Sequence, residues 1–440
     1  MFAVTVTACR VRPWELDPVV VTDAGVATMD LPALVDLSPP LSPCHLTPNG
    51  PVIETLKFSD KQSPWHADGL LRRSGSKHVV QSGTVQLRFG GWSDPAIHAR
   101  EYDTTSWPPT AIAADTELAG SVHSPIIMFE QAADQLGAVW FTDNDGGGPS
   151  GIKYRSVTAG SWTLGPEMFI LPDNALLTAA VAFPGGDRFA ILTMPFQPTG
   201  KTILSVFARD GSLLQKLDLA MPPLSGRYAL ERTDTDLLLV AAPGPCGGDM
   251  GGCAVTSIGV YRINGATATA PITLDLASSI PAPISGALVM TPILVTDHAQ
   301  HHVLTWWELS SQQASTLYAL PLGSDGKPVG LAEVWFHTAL PVTSELQPSV
   351  GPMGIVYPFG VFVPSDGGTM REVHLLQRQL VDNEPVTDTT FVTELTSYGI
   401  STVQLENPRT LIVGYSDYYP APTYGGTGKL ARYLCSEDQP

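Results

Sequence analysis

Residues 184–220 read PGGDRFAILTMPFQPTGKTILSVFARDGSLLQKLDLA, and the order of parts in this run decides the fold. Pro184-Gly185-Gly186-Asp187 is a tight turn, because Gly takes positive φ without steric cost and Asp hydrogen-bonds nearby backbone. FAILTM from Phe189 is short and continuously apolar, the pattern of a strand covered on both faces. A loop bearing Gly and Pro leads to a β-rich run ending Val206-Phe207-Ala208-Arg209. Asp210-Gly211 then favours a hairpin, and LLQKLDLA closes the unit as a fourth strand.

The same order recurs along the chain. The Arg-bearing run has counterparts in Ile97 to Arg100, Ile152 to Arg155, Val260 to Arg262, Leu317 to Leu320, Leu375 to Arg378 and Leu430 to Tyr433. Six of these seven runs carry Arg, at 100, 155, 209, 262, 378 and 432, in steps of 55, 54, 53, 116 and 54 residues. The long step is two units, the fifth lacking its Arg. Apolar second strands precede them, including AVWFTD from Ala138, DLLLVAA from Asp236, VLTWWEL from Val303 and TLIVGY from Thr410. Turn signals stand at Thr233 to Asp236, Glu406 to Arg409, Asn264-Gly265 and Asp325-Gly326.

Four antiparallel strands in each ~40–50 residues is the period of a propeller blade, a small sheet that must stack on its neighbours to bury both faces. The sequence therefore predicts an all-β fold, a single β-propeller of about seven four-stranded blades. Two tandem sandwiches are the rival, and they do not call for an even period. The chain divides into residues 1–9, a residual signal or lipobox-like segment; 10–77, an N-terminal segment holding a ring-closing strand; and 78–440, the seven repeats. The last unit stops after its third strand, at Leu434-Cys435. Pro18 to Thr22 or Pro51 to Lys57 is expected to supply the missing outer strand. In the second case Cys44 comes near Cys435, and a disulfide would lock the ring.

Composition agrees with a folded β-rich chain: hydrophobic residues are 43%, charged residues only 15%, and there are 41 Gly and 39 Pro in 440 residues. With 42 acidic against 24 basic residues the net charge is −18. Such a surface repels phosphate backbones, so nucleic acid is not an expected partner. No apolar run reaches the ~18 residues of a membrane span.

Val6-Thr7-Ala8-Cys9 follows a short apolar stretch and resembles the bacterial lipobox, whose Cys is lipidated after cleavage; no positive n-region precedes it. VTVTA also reads as an ordinary strand. Lipidation of Cys9 leaves four cysteines, an even number suited to an oxidising compartment. Cys246 and Cys253 flank GGDMGG and are expected to pair locally, leaving Cys44 with Cys435. Zinc ligation is the rival, though no CxxC pair or Cys/His quartet is present. Free thiols of a cytosolic protein are the other alternative.

Loops joining second to third strands share one end of a propeller with the connections between blades. Here they carry Trp92, Asp94, Asp143, Asp145, Asp249, Asp366, Asp417, Tyr418, Tyr419 and Tyr424. Rings stack on sugars and carboxylates accept hydroxyl hydrogen bonds, so a glycan or a cationic partner suits such a face. The plain alternative is that Gly, Asp and Pro are what turns require. Asp143-Asn144-Asp145-Gly146 is oxygen-rich, but Gly147 stands at the fifth position and no Glu at the twelfth, so an EF-hand fails and only a looser calcium site remains. No other cofactor is expected. His298, His301 and His302 have ligand-like spacing in what reads as a solvated turn at the opposite end.

The architecture resembles that of exported, lipoprotein-like bacterial β-propeller repeat proteins over nearly the whole chain, without pointing to a specific family. The Asp-box SxDxGxxW, the recurrent Trp-Asp of WD40 blades and the paired glycines of kelch blades do not occur. Nor do GxSxG, HExxH or P-loop motifs. The expectation is a binding or scaffold protein of the cell envelope, exported and lipid-anchored, recognising a glycan or protein through its loop-rich face and touching the membrane only through the anchor. The alternative is a carbohydrate-active enzyme, a glycoside hydrolase or polysaccharide lyase, with its site at the central channel. A hydrolase needs two carboxylates ~5–10 Å apart; a lyase pairs His or Tyr with Arg, His123 being one candidate.

The Cys9 reading predicts a change in partitioning. Expressed with its upstream region, wild type enters the membrane fraction and Cys9→Ser the soluble one. Identical soluble partitioning of both contradicts lipidation.

Overall fold

The computed structural model describes residues 44–55, 65–73, 76–85, 96–114, 116–120, 126–142, 150–171, 175–195, 202–219, 228–233, 236–241, 257–264, 267–268, 272–275, 288–289, 292–296, 302–309, 314–343, 346–351, 353–365, 368–378, 387–393, 397–405, 409–419 and 425–437. Every regular element among them is a β-strand. The fold is all-β, and the described strands assemble into seven sheets, numbered I to VII in chain order of their second strands.

Sheet III is the simplest: Ala175–Ala182, Arg188–Pro195, Ile203–Ala208 and Leu213–Asp218 pair in that order, all antiparallel. The other sheets repeat this meander with one outer or inner strand broken in two. Sheet I holds Trp65–Arg72, His78–Val85 and Ala96–Asp103, and sheet II Ile127–Ala132, Gln135–Thr142 and Gly151–Thr158. Sheet IV holds Tyr228–Arg232, Leu237–Ala241 and Ser257–Asn264; sheet V Ile293–Thr296, His302–Leu309, Ser315–Leu322 and Glu333–Thr338. Sheet VI holds Ser349–Gly351, Gly354–Ser365, Gly368–Arg378 and Thr387–Thr393; sheet VII Ser397–Leu405, Thr410–Tyr419 and Gly425–Glu437. Sheet I takes Trp65–Arg72 as its first strand, so the meanders begin upstream of residue 78.

The second strands are buried on both faces, as their unbroken apolar runs require. Ala190, Ile191 and Leu192 are fully buried, as are Leu136, Ala138, Val139 and Trp140. What covers them is the neighbouring sheet. Phe189 of sheet III stacks on Tyr154 of sheet II at 5.0 Å and meets Phe129 at 5.2 Å. Phe359 of sheet VI sits 5.1 Å from Trp307 and 4.6 Å from Phe336 of sheet V. Each such pair adds about 0.5–1.5 kcal/mol to plain burial. Sheets III and IV share one apolar cluster through Leu204, Leu230 and Tyr261. The first strands of sheets IV and V lie side by side. Gln404 of sheet VII accepts from Met353 N at 3.0 Å and donates to Gly354 O at 2.8 Å, tying it to sheet VI.

Sheet VII also meets sheet I. Arg72 donates to Gln404 O at 2.7 Å and Gln81 to Lys429 O at 3.3 Å. Gly414 faces Leu70 so closely that a Cβ would fall 2.7 Å from the Leu side chain.

The outer strand of sheet VII comes from the other end of the chain. Cys44–Pro48 pairs antiparallel with Gly425–Glu437, from Cys44 opposite Glu437 to Pro48 opposite Tyr433. Ile53–Glu54 continues the edge opposite Leu430 and Lys429. The strand therefore begins earlier than Pro51 to Lys57; of that run Ile53 and Glu54 pair and Thr55 N–H donates to Gly428 O, residues 56–57 and Pro18 to Thr22 lying outside the described residues. A five-residue segment containing Pro shows no alternation to mark it. Its pairing is set by the open edge it meets, an edge being where Pro is tolerated.

Gly186, in the first turn of sheet III, has φ +70° and a Cβ there would stand 1.7 Å from Gln131 O. Both the left-handed backbone and the contact exclude a side chain. Gly186→Ala is expected to lower the urea midpoint by an amount worth ~2 kcal/mol or more at unchanged m-value. An unshifted midpoint contradicts the tight apposition of sheets II and III.

Candidate functional site

Antiparallel order gives every sheet two unlike ends. Turns between first and second strands, and between third and fourth, lie at one end; connections between second and third strands lie at the other. The end with the short turns is closed by side-chain pairing. Its most buried group is Glu101, with no exposed surface, on Ala96–Asp103. Arg73 donates to its Oε1 at 2.6 Å, and His78 Nδ1 lies 3.0 Å from the same oxygen. Trp162 Nε1 and Gly160 N of sheet II donate to Oε2 at 2.6 and 3.2 Å. Burial alone would raise this carboxyl's pKa; the hydrogen bonds from Arg73 and Trp162 outweigh it and hold the pKa below the ordinary 4.5. Trp162 takes φ +53° to deliver its ring N–H.

The recurring Arg residues belong to the same fastening. Arg100, Arg155, Arg262, Arg378 and Arg432 lie on third strands, and Arg209 follows directly after one. Their partners differ. Arg155 donates to Leu118 O of sheet I, Arg209 to Gln135 and Asp134 of sheet II, and Arg378 to Glu333 of sheet V, with its guanidinium 5.0 Å over Trp335. Each of these three reaches the preceding sheet. Arg262 instead holds Asp236 of its own sheet at 2.6 Å, and Arg100 holds Ala113 O at 3.2 Å. Arg432 bonds Asn49 and lies 5.1 Å over Trp107 of sheet I. The period that marks the repeat is thus a period of structural anchors.

Three aspartates at this end do turn chemistry. Asp103, Asp210 and Asp325 accept the backbone N–H two residues on, from Thr105, Ser212 and Lys327, at 2.8, 2.9 and 3.0 Å. Side-chain hydrogen bonds from those same partners, more than any other cause, hold the three carboxyls below the usual range. His302, expected in a solvated turn, instead opens the buried strand His302–Leu309, 1% exposed, with Nδ1 2.8 Å from Thr296 Oγ1. Its neighbours in the strand are apolar and fix it inside. His298, His301 and His123 lie outside the described residues.

At the other end lie the seven connections between second and third strands. Trp92, Asp94, Asp143, Asp145, Asp249, Asp366 and Tyr424 lie outside the described residues, as do Cys246, Cys253 and Cys9. Asp417 and Tyr418 do not stand in a loop. They end the strand Thr410–Tyr419, opposite Thr427 and Gly426. The hairpin extends because SDYY and GGTG can continue the ladder. Sheet VI does the same, its ladder running to Ser365 opposite Gly368. Among the described residues no group of three or more His, Cys, Asp or Glu is placed to hold a metal ion. Among the described residues two first-strand acids are buried, in sheets that are not neighbours: Glu130 of sheet II and Glu231 of sheet IV.

No protein-family model matches the chain, and no curated protein does. Similar solved structures include the β-propeller domain of the trilobed protease from Pyrococcus furiosus, 8% identical, covering 86% of this chain and 99% of that one, TM-score 0.47. A Dyadobacter fermentans protein of unknown function is 10% identical over 88% of this chain and 99% of its own, TM-score 0.46. An ulvan lyase, of a polysaccharide lyase family, is 8% identical over 82% and 90%, TM-score 0.41. At these scores they establish neither ligand nor chemistry.

Glu101 gives a pH test. Its folded pKa is depressed, so its contribution is fully present above the unfolded value of 4.5 and is lost as pH falls through the folded value. Glu101→Gln should cost about 2 kcal/mol or more at pH 7, because Arg73 is left beside a neutral partner. The gap to wild type should close in acid, below pH 4.5. Chemical denaturation of both proteins across pH 3–7 measures it, and a gap that persists or widens in acid contradicts the assignment.

Proposed function

We propose that the seven sheets are the blades of a single propeller and that the protein is an exported binding or scaffold module of the cell envelope, lipid-anchored through Cys9. Its ligand is a glycan or protein held at the end where second and third strands are joined. The observation that carries this reading is the division between the two ends. One end is fastened between sheets by Glu101, Trp162, Arg209 and Arg378. The other carries the longer connections of sheets I to IV, on a scaffold whose second strands are buried on both faces. Loops on a rigid frame are where recognition residues concentrate. The sequence places Trp92, Asp94, Asp143, Asp145, Asp366 and Tyr424 in those loops, and Asp417 and Tyr418 on the hairpin that leads into the last of them. Aromatic faces for sugar rings or cationic groups, beside carboxylates for hydroxyls, make a chemically consistent surface.

The test is a glycan and peptide array probed with purified protein, followed by titration of the hits. Trp92→Ala, Asp94→Ala and Tyr424→Ala should each weaken binding about tenfold or more, the usual scale for an aromatic or charged anchor, with the melting midpoint unchanged. Arg209→Ala should do the reverse, lowering the midpoint while preserving the pattern of hits. Loop variants that bind as wild type does contradict a site at this end.

A further inference from the structure

We infer that Cys44 and Cys435 form a disulfide that latches the N-terminal strand to the last sheet, making the seam between the two chain ends redox-sensitive. Cys435 is disulfide-bonded and partly exposed. Its partner is one of Cys9, Cys44, Cys246 and Cys253. The ladder selects Cys44. Leu46 stands opposite Cys435 and Cys44 opposite Glu437, so Cys44 is one pleat along from the residue facing Cys435. Residues two apart share a face of the sheet, and strand twist shortens one of the two diagonals across an antiparallel pair. At the end of a ladder that diagonal can enter the Cα range of a disulfide.

Topology argues against Cys246 and Cys253. They lie in the connection from Leu237–Ala241 to Ser257–Asn264, at the loop end of sheet IV. Cys435 lies near the finish of a third strand, at the short-turn end of sheet VII, with its N–H on Arg409 O at 3.1 Å. The pairing around Cys435 is local and frames a crosslink: Thr47 Oγ1 donates to Leu434 O at 3.3 Å, and Ser436 Oγ to His45 O at 3.2 Å.

Closing the bond removes two protons and two electrons from the two thiols. A disulfide-bearing oxidant accepts the electrons by thiol–disulfide exchange and is itself reduced to a dithiol. A dithiol reductant runs the step backwards, the bond becoming two thiols and the reductant a disulfide. The inference takes its oxidant from the exported compartment and in that respect rests on the proposed location. The consequence is mechanical. Once reduced, the strand Cys44–Pro48 loses its covalent tie and keeps its ladder, the bonds of Thr47 and Ser436 and the burial of Leu46; as an edge strand it then frays more readily.

The test begins with mass mapping of a non-reduced digest of the full chain, which should yield the Cys44–Cys435 linked peptide. Thermal melts with and without dithiothreitol then compare wild type, Cys44→Ser and Cys246→Ser. Reductant should lower the wild-type midpoint by several degrees. Cys44→Ser should melt at that lowered midpoint in both conditions, and Cys246→Ser should keep the reductant-sensitive step. Mapping that finds Cys435 free or joined to another cysteine overturns the inference, as does a wild-type midpoint that reductant leaves unmoved. These outcomes are independent of the array result, so failure of the latch and failure of the proposed ligand face are distinguishable.

Discussion

The strand Gly425–Glu437 has two edges, and the two ends of the chain meet on them. One edge carries Thr410–Tyr419; the other carries Cys44–Pro48 and Ile53–Glu54, drawn from nearly four hundred residues away. Without the N-terminal segment the last sheet would end in an open row of amides and carbonyls, which templates pairing with other chains. Closing so long a loop costs less than its length implies, because the entropy grows only with the logarithm of the number of residues. The seam is reinforced in the third dimension by Arg432, which bonds Asn49 while covering the ring of Trp107, and by Trp107 Nε1, which donates to Pro51 O at 2.8 Å. Trp107 belongs to sheet I, so one cluster joins the N-terminal segment, the last sheet and the first.

Each sheet depends on this arrangement for its faces as well as its edges. A four-stranded sheet with Trp140, Phe189 or Trp307 at its centre has apolar groups on both sides and no layer of its own to cover them. Coverage comes from the next sheet in the chain, through contacts such as Phe189 on Tyr154 and Phe359 on Trp307. The charged residues at the short-turn end then fix neighbouring sheets by directional bonds. Glu101 is the clearest case: N–H groups of Arg73, Trp162 and Gly160, from two sheets, converge on one buried carboxylate. The scaffold thereby gathers polar pairing of neighbouring sheets at its short-turn end.

Much of the strand order was legible in the sequence because turns and apolar runs are local signals. The turns at Pro184 to Asp187, Thr233 to Asp236 and Asp325-Gly326 each join the strands expected of them, and the third-strand position of Arg100, Arg155, Arg262, Arg378 and Arg432 follows from their even spacing. Arg spacing did not disclose partners, since Arg155 reaches back a sheet while Arg262 holds Asp236 of its own. Non-local choices were harder to read. Cys44–Pro48 lacks a strand pattern and is recruited by an edge; Asp417 and Tyr418 look like loop residues until the ladder of sheet VII is seen to run past them; His302 looks solvated until its strand is buried. The proposed ligand face is legible only as composition, because carboxylates and aromatics in loops serve turns and ligands alike.

The measurement that bears most directly on closure by the N-terminal strand is native-state amide hydrogen exchange. Asn49 N–H is bonded to Arg432 O and Thr55 N–H to Gly428 O, each at 2.8 Å. If the two ends are paired as described, these amides exchange far more slowly than an unstructured peptide, with protection approaching that of the strand Thr410–Tyr419. Exchange of Asn49 and Thr55 at the unprotected rate, while Thr410–Tyr419 stays protected, would mean that the last sheet stands without its borrowed strand.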